Sequence, residues 1–100
     1  MGALGRDLLH DALSQLGGWS GDTHELRRTL EITESQHAAL TEWAKIFSDA
    51  LRLRPDIRRV DGRTHVRICD PDNGLTAREI ALAARIEDAY QMLTRLEDHR

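Results

Sequence analysis

The spacing of the hydrophobic residues predicts one helix and two strands in the first third of the chain. Over residues 4–16 apolar side chains recur three and four positions apart, the pattern of one helix face, and Gly17-Gly18 follows as a stop. Residues 19–22 are typical of a short strand and turn. Over residues 26–32, one parity holds Leu26, Leu30 and Ile32 and the other holds Arg27, Thr29 and Glu31, which indicates a half-buried strand. The two strands predict a hairpin.

After the second strand the apolar spacing becomes helical and then returns to strands. An amphipathic stripe predicts a central helix over residues 34–52, and Pro55 ends it because the residue before a proline is pushed out of the helical conformation. Residues 56–60 and 63–69 predict two more strands. Asp61-Gly62 joins them, and this dipeptide favours a two-residue hairpin turn.

The last predicted element is a long helix. Thr76 and Glu79 have the spacing of a capping box, in which two side chains satisfy backbone N–H groups at the start of a helix. An apolar stripe follows at Ile80, Ala83, Ile86, Ala89, Tyr90 and Leu93. The order is therefore helix-strand-strand-helix-strand-strand-helix. Pairs of antiparallel strands with helices over one face predict an α+β fold, a two-layer sandwich.

Length and hydropathy limit the classes of protein. A chain of 100 residues is too short to bury two cores, so we expect a single domain over residues 1–100. Mean hydropathy is -0.52 and no apolar run approaches the roughly 18 residues of a membrane span, so we expect no membrane partner. The first residues lack a secretory signal, which makes the cytoplasm the expected location. So small a core also favours homo-oligomerisation.

Cysteine and histidine usage argues against a metal site. The single cysteine, Cys69, excludes an internal disulfide and a four-cysteine zinc site, and we interpret it as a small buried strand residue. The five histidines lack the spacing of metal ligands, and no glycine-rich phosphate loop is present. We therefore expect neither a metal nor a cofactor.

The charge distribution leaves two interpretations open. The formal net charge is -3, yet six of the thirteen arginines fall close together, at Arg52, Arg54, Arg58, Arg59, Arg63 and Arg67. Such a cluster can hold phosphates or carboxylates through bidentate hydrogen bonds. Aspartates are interleaved with it, which favours a solvated, ion-paired face instead. The acidic balance of the whole chain argues against a nucleic-acid partner.

Four segments resemble a known family. Gly18-Trp19, residues 26–32, Pro55-Asp56-Ile57 and above all residues 73–86, with their Gly-Leu-Thr sequence, look like the pterin-4a-carbinolamine dehydratases, also called dimerisation cofactors of a homeodomain factor. The likeness covers nearly the whole chain. It implies a four-stranded antiparallel sheet with three helices on one face, assembled as a homodimer or homotetramer. It also implies removal of water from a 4a-hydroxytetrahydropterin without metal or cofactor.

The histidines that mark the pocket of that family are replaced in this sequence. The family's His-His-Pro segment falls on Leu53-Arg54-Pro55, and the histidine at the end of its last strand falls on Asp70. Its pocket carboxylates correspond to Asp49 and Glu79. Leucine carries no exchangeable proton and arginine keeps its proton at neutral pH, so we do not expect the family's own reaction at an enzyme-like rate.

These correspondences make four residues candidates for catalysis: Asp70, Arg54, Asp49 and Glu79. Asp70 could act as a general acid or base, or it could cap its loop. Arg54 could stabilise negative charge in a ligand or a transition state, or it could be a surface arginine. For Asp49 the alternative is an ion pair with Arg52 or Arg54. For Glu79 it is the capping box alone.

Two functional hypotheses of different classes follow. In the first, the chain is an enzyme for acid–base dehydration, cyclisation or isomerisation of a small molecule other than a pterin. In the second, it is a non-catalytic dimerisation or assembly factor on the same fold, and a genuine 4a-hydroxytetrahydropterin dehydratase is a third possibility. An open groove between residues 49–54 and 70–79 would favour an enzyme, whereas one filled by Leu53 and ion pairs would favour a scaffold.

Overall fold

A computed structural model describes residues 5–69 and 74–98, which form three helices and a four-stranded antiparallel sheet. The elements are α1 (Arg6–Gln15), β1 (Ser20–Gly21), β2 (Glu25–Leu30), α2 (Glu34–Leu51), β3 (Asp56–Val60), β4 (Arg63–Cys69) and α3 (Ala77–Asp98). This order confirms the predicted α+β class and the alternation of helices with strand pairs.

The strands pair in the order β1-β2-β4-β3, each antiparallel to its neighbour. The predicted hairpin between β3 and β4 is confirmed. Asp61 and Gly62 both have positive φ, 53° and 76°, the backbone that a tight two-residue hairpin turn requires. The other central pairing joins β2 to β4 and sets Leu26 opposite Ile68. Both residues therefore point to the same face of the sheet.

One face of the sheet and the inner faces of the helices enclose a single core. The strands contribute Leu26, Leu30, Val66 and Ile68, each no more than 2% exposed. Helices α2 and α3 contribute Leu40, Ala44, Leu82, Ala83, Ile86 and Ala89. Leu40 and Leu82 have no exposed surface at all, so truncating either to alanine would cost about 2–5 kcal/mol.

The opposite face of the sheet is exposed and carries charge. Several of its arginines form ion pairs, such as Arg58 Nε with Asp56 Oδ2 at 3.0 Å and Arg63 Nη2 with Glu31 Oε1 at 3.5 Å. This part of the arginine cluster is thus a solvated, ion-paired face. Cys69 lies on the same face and is exposed, so its interpretation as a buried residue was wrong. The alternation of β4 explains this, since Ile68 points into the core and its neighbour must point out.

No helix within residues 5–69 and 74–98 is both long and apolar enough to cross a membrane.

Candidate functional site

The end of α2 turns the chain sharply toward the sheet. Arg52 adopts a left-handed backbone with φ 58°, its N–H donates to the carbonyl of Asp49, and the N–H of Leu53 donates to the carbonyl of Ser48 at 2.9 Å. Arg78 at the start of α3 donates from Nη1 to the carbonyl of Leu51 at 3.2 Å. These bonds satisfy carbonyls that the helix leaves free in its last turn, and they fix the direction of the chain that follows.

A groove of about 310 Å³ lies beside this turn. Its walls are the last three turns of α2, the segment leading out of it and the beginning of β3, and its lining residues are Thr41, Lys45, Ser48, Asp49, Leu53, Arg54, Pro55 and Ile57. This volume is at the lower end of the roughly 300–1,000 Å³ typical of small-molecule pockets. A small ligand fits such a space better than a dinucleotide does.

Asp49 and Arg54, two of the four predicted catalytic residues, line this groove together. Both side chains are exposed. Across residues 5–69 and 74–98 neither of them takes part in an ion pair, so the structure shows no pairing of Asp49 with Arg52 or Arg54 in that part of the chain. Leu53 forms part of the wall. None of residues 74–79 lines this groove, so it differs from the groove expected between residues 49–54 and 70–79.

Lys45 is a third charged residue of the groove, and it was not among the site residues predicted from the sequence. It precedes Asp49 by four positions on α2, so the two side chains occupy the same face of the helix. This spacing was a usable signal, because the face of the central helix that carries Asp49 must also carry Lys45.

Glu79 is placed away from the groove. Its side chain is fully buried, and its Oε1 accepts a hydrogen bond from the backbone N–H of Thr76 at 3.0 Å. The Thr76 hydroxyl donates to the same carboxylate, at 2.9 Å from Oε2, and accepts from the N–H of Arg78 at 3.3 Å. One of the two hydrogen bonds of the predicted capping box is therefore confirmed, the one that the Glu79 side chain accepts from the backbone of Thr76. Asp70 lies outside the described residues, so its position relative to Asp49 and Arg54 stays a prediction.

A second cluster of charged residues, here called the Glu87 cluster, joins the α1–β1 loop to β2 and α3. The Glu87 carboxylate accepts hydrogen bonds from Trp19 Nε1 at 2.8 Å, Arg28 Nε at 3.1 Å and Gln91 Nε2 at 3.0 Å. The Arg28 guanidinium also lies over the Tyr90 ring, 5.1 Å from its centroid. Arg28 and Glu87 are only 17% and 14% exposed.

Hydrogen bonding dominates the electrostatics of Glu87. Burial acts to raise the pKa of Glu87, but the hydrogen bonds from Arg28, Gln91 and Trp19 outweigh it, and the pKa is lowered from its usual value of 4.5. This cluster was not predicted from the sequence. Its signal was the position of Arg28, which shares the inward parity of Leu26 and Leu30 and therefore needs a buried partner.

Within the described ranges no group of three or more histidine, cysteine, aspartate or glutamate side chains is arranged to hold a metal ion.

Comparison with known proteins supports the fold. No protein-family model matches the chain, and no curated protein matches it. Among solved structures, the crystal structure of a transcriptional coactivator/pterin dehydratase from Brucella melitensis is similar, with a TM-score of 0.79. The two sequences are 20% identical, and the match covers 88% of this chain and 98% of that one. The likeness therefore spans almost the whole domain and extends to the arrangement of all its helices and strands.

Proposed function

We propose that this chain is a small-molecule enzyme of the acid–base lyase, cyclase or isomerase type, which works in the groove at the end of α2 on a substrate other than a pterin. One observation carries the proposal: the Asp49 carboxylate and the Arg54 guanidinium line one open groove. A carboxylate can take up and return a proton, and a fixed guanidinium stabilises negative charge that develops in a substrate.

The four predicted residues receive different roles in this proposal. Asp49 is the proton acceptor and Arg54 its electrostatic partner. Asp70 is added as a second acid or base because the family resemblance places it at the pocket. Glu79 acts indirectly, since its carboxylate holds Thr76 at the start of α3, two residues before the Arg78 side chain that binds the end of α2.

A non-catalytic assembly factor is the second candidate, and a specific observation favours it. Among the residues whose burial the structure describes, four large apolar side chains are exposed, at Leu8, Ile46, Val60 and Met92. Ile46 is 65% exposed, so a partner surface that covered it would gain hydrophobic burial. A homodimer or homotetramer would cover such residues, and the resemblance implies one. One protein can both assemble and catalyse, so turnover of a substrate in the groove is what distinguishes the enzyme from the non-catalytic assembly factor.

The test is turnover by the wild-type protein and by two matched variants. A mixture of small hydroxylated and carbonyl compounds, with 4a-hydroxytetrahydropterin as one member, is incubated with each protein and analysed by mass spectrometry and NMR for loss of water or rearrangement. We expect turnover of a non-pterin compound, and a loss of about 100-fold or more in Asp49→Asn, the contribution typical of a general base. Asp61→Asn in the β3–β4 turn is the control and should keep full activity.

Two results would contradict the proposal. Enzyme-like turnover of the pterin alone would show that Leu53 and Arg54 are compatible with the family's own reaction. Absence of any turnover would favour the assembly factor, provided that sedimentation detects an oligomer of the 11.4 kDa chain that Ile46→Asp dissociates.

A further inference from the structure

The groove offers an uneven set of hydrogen-bonding groups. Of its two hydroxyl residues, Thr41 already donates through Oγ1 to the carbonyl of His37 at 2.8 Å, and Ser48 donates through Oγ to the carbonyl of Lys45 at 3.0 Å. A hydroxyl has one hydrogen to donate, so toward the groove both of these side chains can only accept. Among the lining residues that the structure describes, the side chains left to donate are the Lys45 ammonium and the Arg54 guanidinium.

The charges of the lining follow the same division. Lys45 and Arg54 are positive and Asp49 is negative, so the lining side chains among residues 5–69 and 74–98 carry a formal charge of +1. Among residues 5–69 and 74–98 none of the three takes part in an ion pair. One monoanionic group in the groove would, together with Asp49, balance the two cations. Asp49 would repel an anion that offers nothing else, but it would accept a hydrogen bond from a hydroxyl on the same ligand.

The remaining wall is apolar. Leu53, Pro55 and Ile57 line the side formed by the segment after α2 and the start of β3. A ligand with a short hydrocarbon body can lie against this wall while its polar ends face α2 and Arg54. The volume of about 310 Å³ limits that body to a few carbon atoms.

We propose that the groove binds a small hydroxy carboxylic acid, with the carboxylate held by Lys45 and Arg54 and the hydroxyl donating to Asp49. This inference rests on the proposed function and names its substrate class. In a dehydration of a 3-hydroxy acid, Asp49 would take up a proton from the carbon next to the carboxylate and return it to this hydroxyl, which leaves as water while the carbon–carbon double bond forms. Lys45 thereby becomes a binding residue, a role that its spacing from Asp49 permits.

The experiment uses three four-carbon probes that differ in one group each: 3-hydroxybutyrate, butyrate without the hydroxyl, and 1,3-butanediol without the carboxylate. Binding to the full chain is followed by backbone amide NMR shifts. For the wild-type protein we expect saturable binding of 3-hydroxybutyrate with shifts clustered in residues 41–57, butyrate weaker by about fivefold, and no saturation by the diol.

Four variants assign the contacts, with the dispersion of the amide spectrum as the check on folding. Lys45→Met and Arg54→Met should each weaken 3-hydroxybutyrate binding about fivefold, whereas Arg95→Met, an exposed arginine on α3, should leave it unchanged. Asp49→Leu should abolish the preference for 3-hydroxybutyrate over butyrate, since it removes the acceptor for the hydroxyl.

The outcomes separate this inference from the proposed function. Equal affinity for butyrate and 3-hydroxybutyrate, or equal weakening by Arg54→Met and Arg95→Met, would overturn the hydroxy-acid assignment. If those results accompany Asp49-dependent turnover of some other compound, the enzyme proposal stands and only the ligand class fails. If 3-hydroxybutyrate binds as expected and no compound of the mixture is turned over, the ligand class stands and the enzyme proposal fails.

Discussion

The groove at the end of α2 and the Glu87 cluster both bring charged side chains together, but they differ in how those charges are satisfied. In the Glu87 cluster the carboxylate is 14% exposed and receives hydrogen bonds from Trp19, Arg28 and Gln91. In the groove Asp49 and Arg54 are exposed, and within the described residues neither is ion-paired.

This difference separates charges that hold the fold from charges that are available to a ligand. Breaking the cluster would leave the polar groups around Glu87 without a hydrogen-bond partner. It would also leave one largely buried charge unpaired. The groove charges are already solvated, so replacing them costs the fold little. Variants in the two regions should therefore affect different measurements: the free energy of unfolding in the cluster, and ligand affinity or turnover in the groove.

Among variants in these two charged regions, Arg28→Met should have the largest effect on stability. Removing the guanidinium leaves Glu87 charged and largely buried, which should lower the free energy of unfolding by about 3 kcal/mol in urea titrations. Arg58→Met is the matched control, because its ion pair with Asp56 is exposed, at 72% and 41% of the two side chains. It should cost less than about 1 kcal/mol. Equal losses in the two variants would mean that burial does not distinguish the pairs.

Gly18→Ala tests the same cluster through the backbone. Gly18 has φ 89°, and a Cβ atom at this position would overlap the Arg28 guanidinium. Alanine must strain the backbone and displace the side chain that holds Glu87, so we expect a loss of about 2 kcal/mol in the same urea titrations. Gly17→Ala is its control: a Cβ there meets no atom within 4 Å, and the change should stay within about 0.5 kcal/mol.

The elements of the fold were predictable because their signals are local. Alternation over β4 and the Asp61-Gly62 turn each depend on neighbouring residues, and both appear in the structure where the sequence placed them. Cys69 shows that the alternation of residues along a strand predicts exposure better than the usual preference of a residue type does. Its parity with exposed Arg67 pointed outward, and the preference of cysteine for burial led to the wrong interpretation.

The candidate site was predictable only in part. The resemblance placed Asp49 and Arg54 at one pocket, and the structure does bring them to one groove. The Arg28–Glu87 pair is separated by 59 positions, so its formation depends on how β2 packs on α3, which no local pattern reports. Glu79 was a candidate for catalysis, but its carboxylate accepts a hydrogen bond from the nearby backbone N–H of Thr76 and so caps the helix.

Acid should weaken the Glu87 cluster. The pKa of Glu87 is lowered in the folded state, so its contribution to stability is present above its unfolded value near 4.5 and is lost as pH falls through the lower folded value. Glu87→Gln should be less stable than the wild type at neutral pH but lose less on acidification, the slopes differing by at most about 1.4 kcal/mol per pH unit. Identical slopes in urea titrations of the two proteins would contradict this assignment.

The smallest effect concerns strain beside the groove. Arg52 adopts φ 58° at the end of α2, a conformation that costs most non-glycine residues about 1–2 kcal/mol, and it does not line the groove. Arg52→Gly removes that strain but adds backbone entropy to the unfolded chain, so the net gain in urea titrations should be about 0.5 kcal/mol. Asp61→Gly at φ 53° is the comparison and should gain less, because aspartate tolerates this conformation better.

The same variant also tests whether the strain serves binding. If Arg52 only turns the chain, Arg52→Gly should leave the affinity for 3-hydroxybutyrate unchanged while the protein becomes slightly more stable. A more stable protein that binds the acid more weakly would show that the Arg52 guanidinium reaches the ligand. The left-handed backbone would then be strain retained for function, as occurs at other binding sites. In that case the cationic side of the groove would consist of Lys45, Arg52 and Arg54.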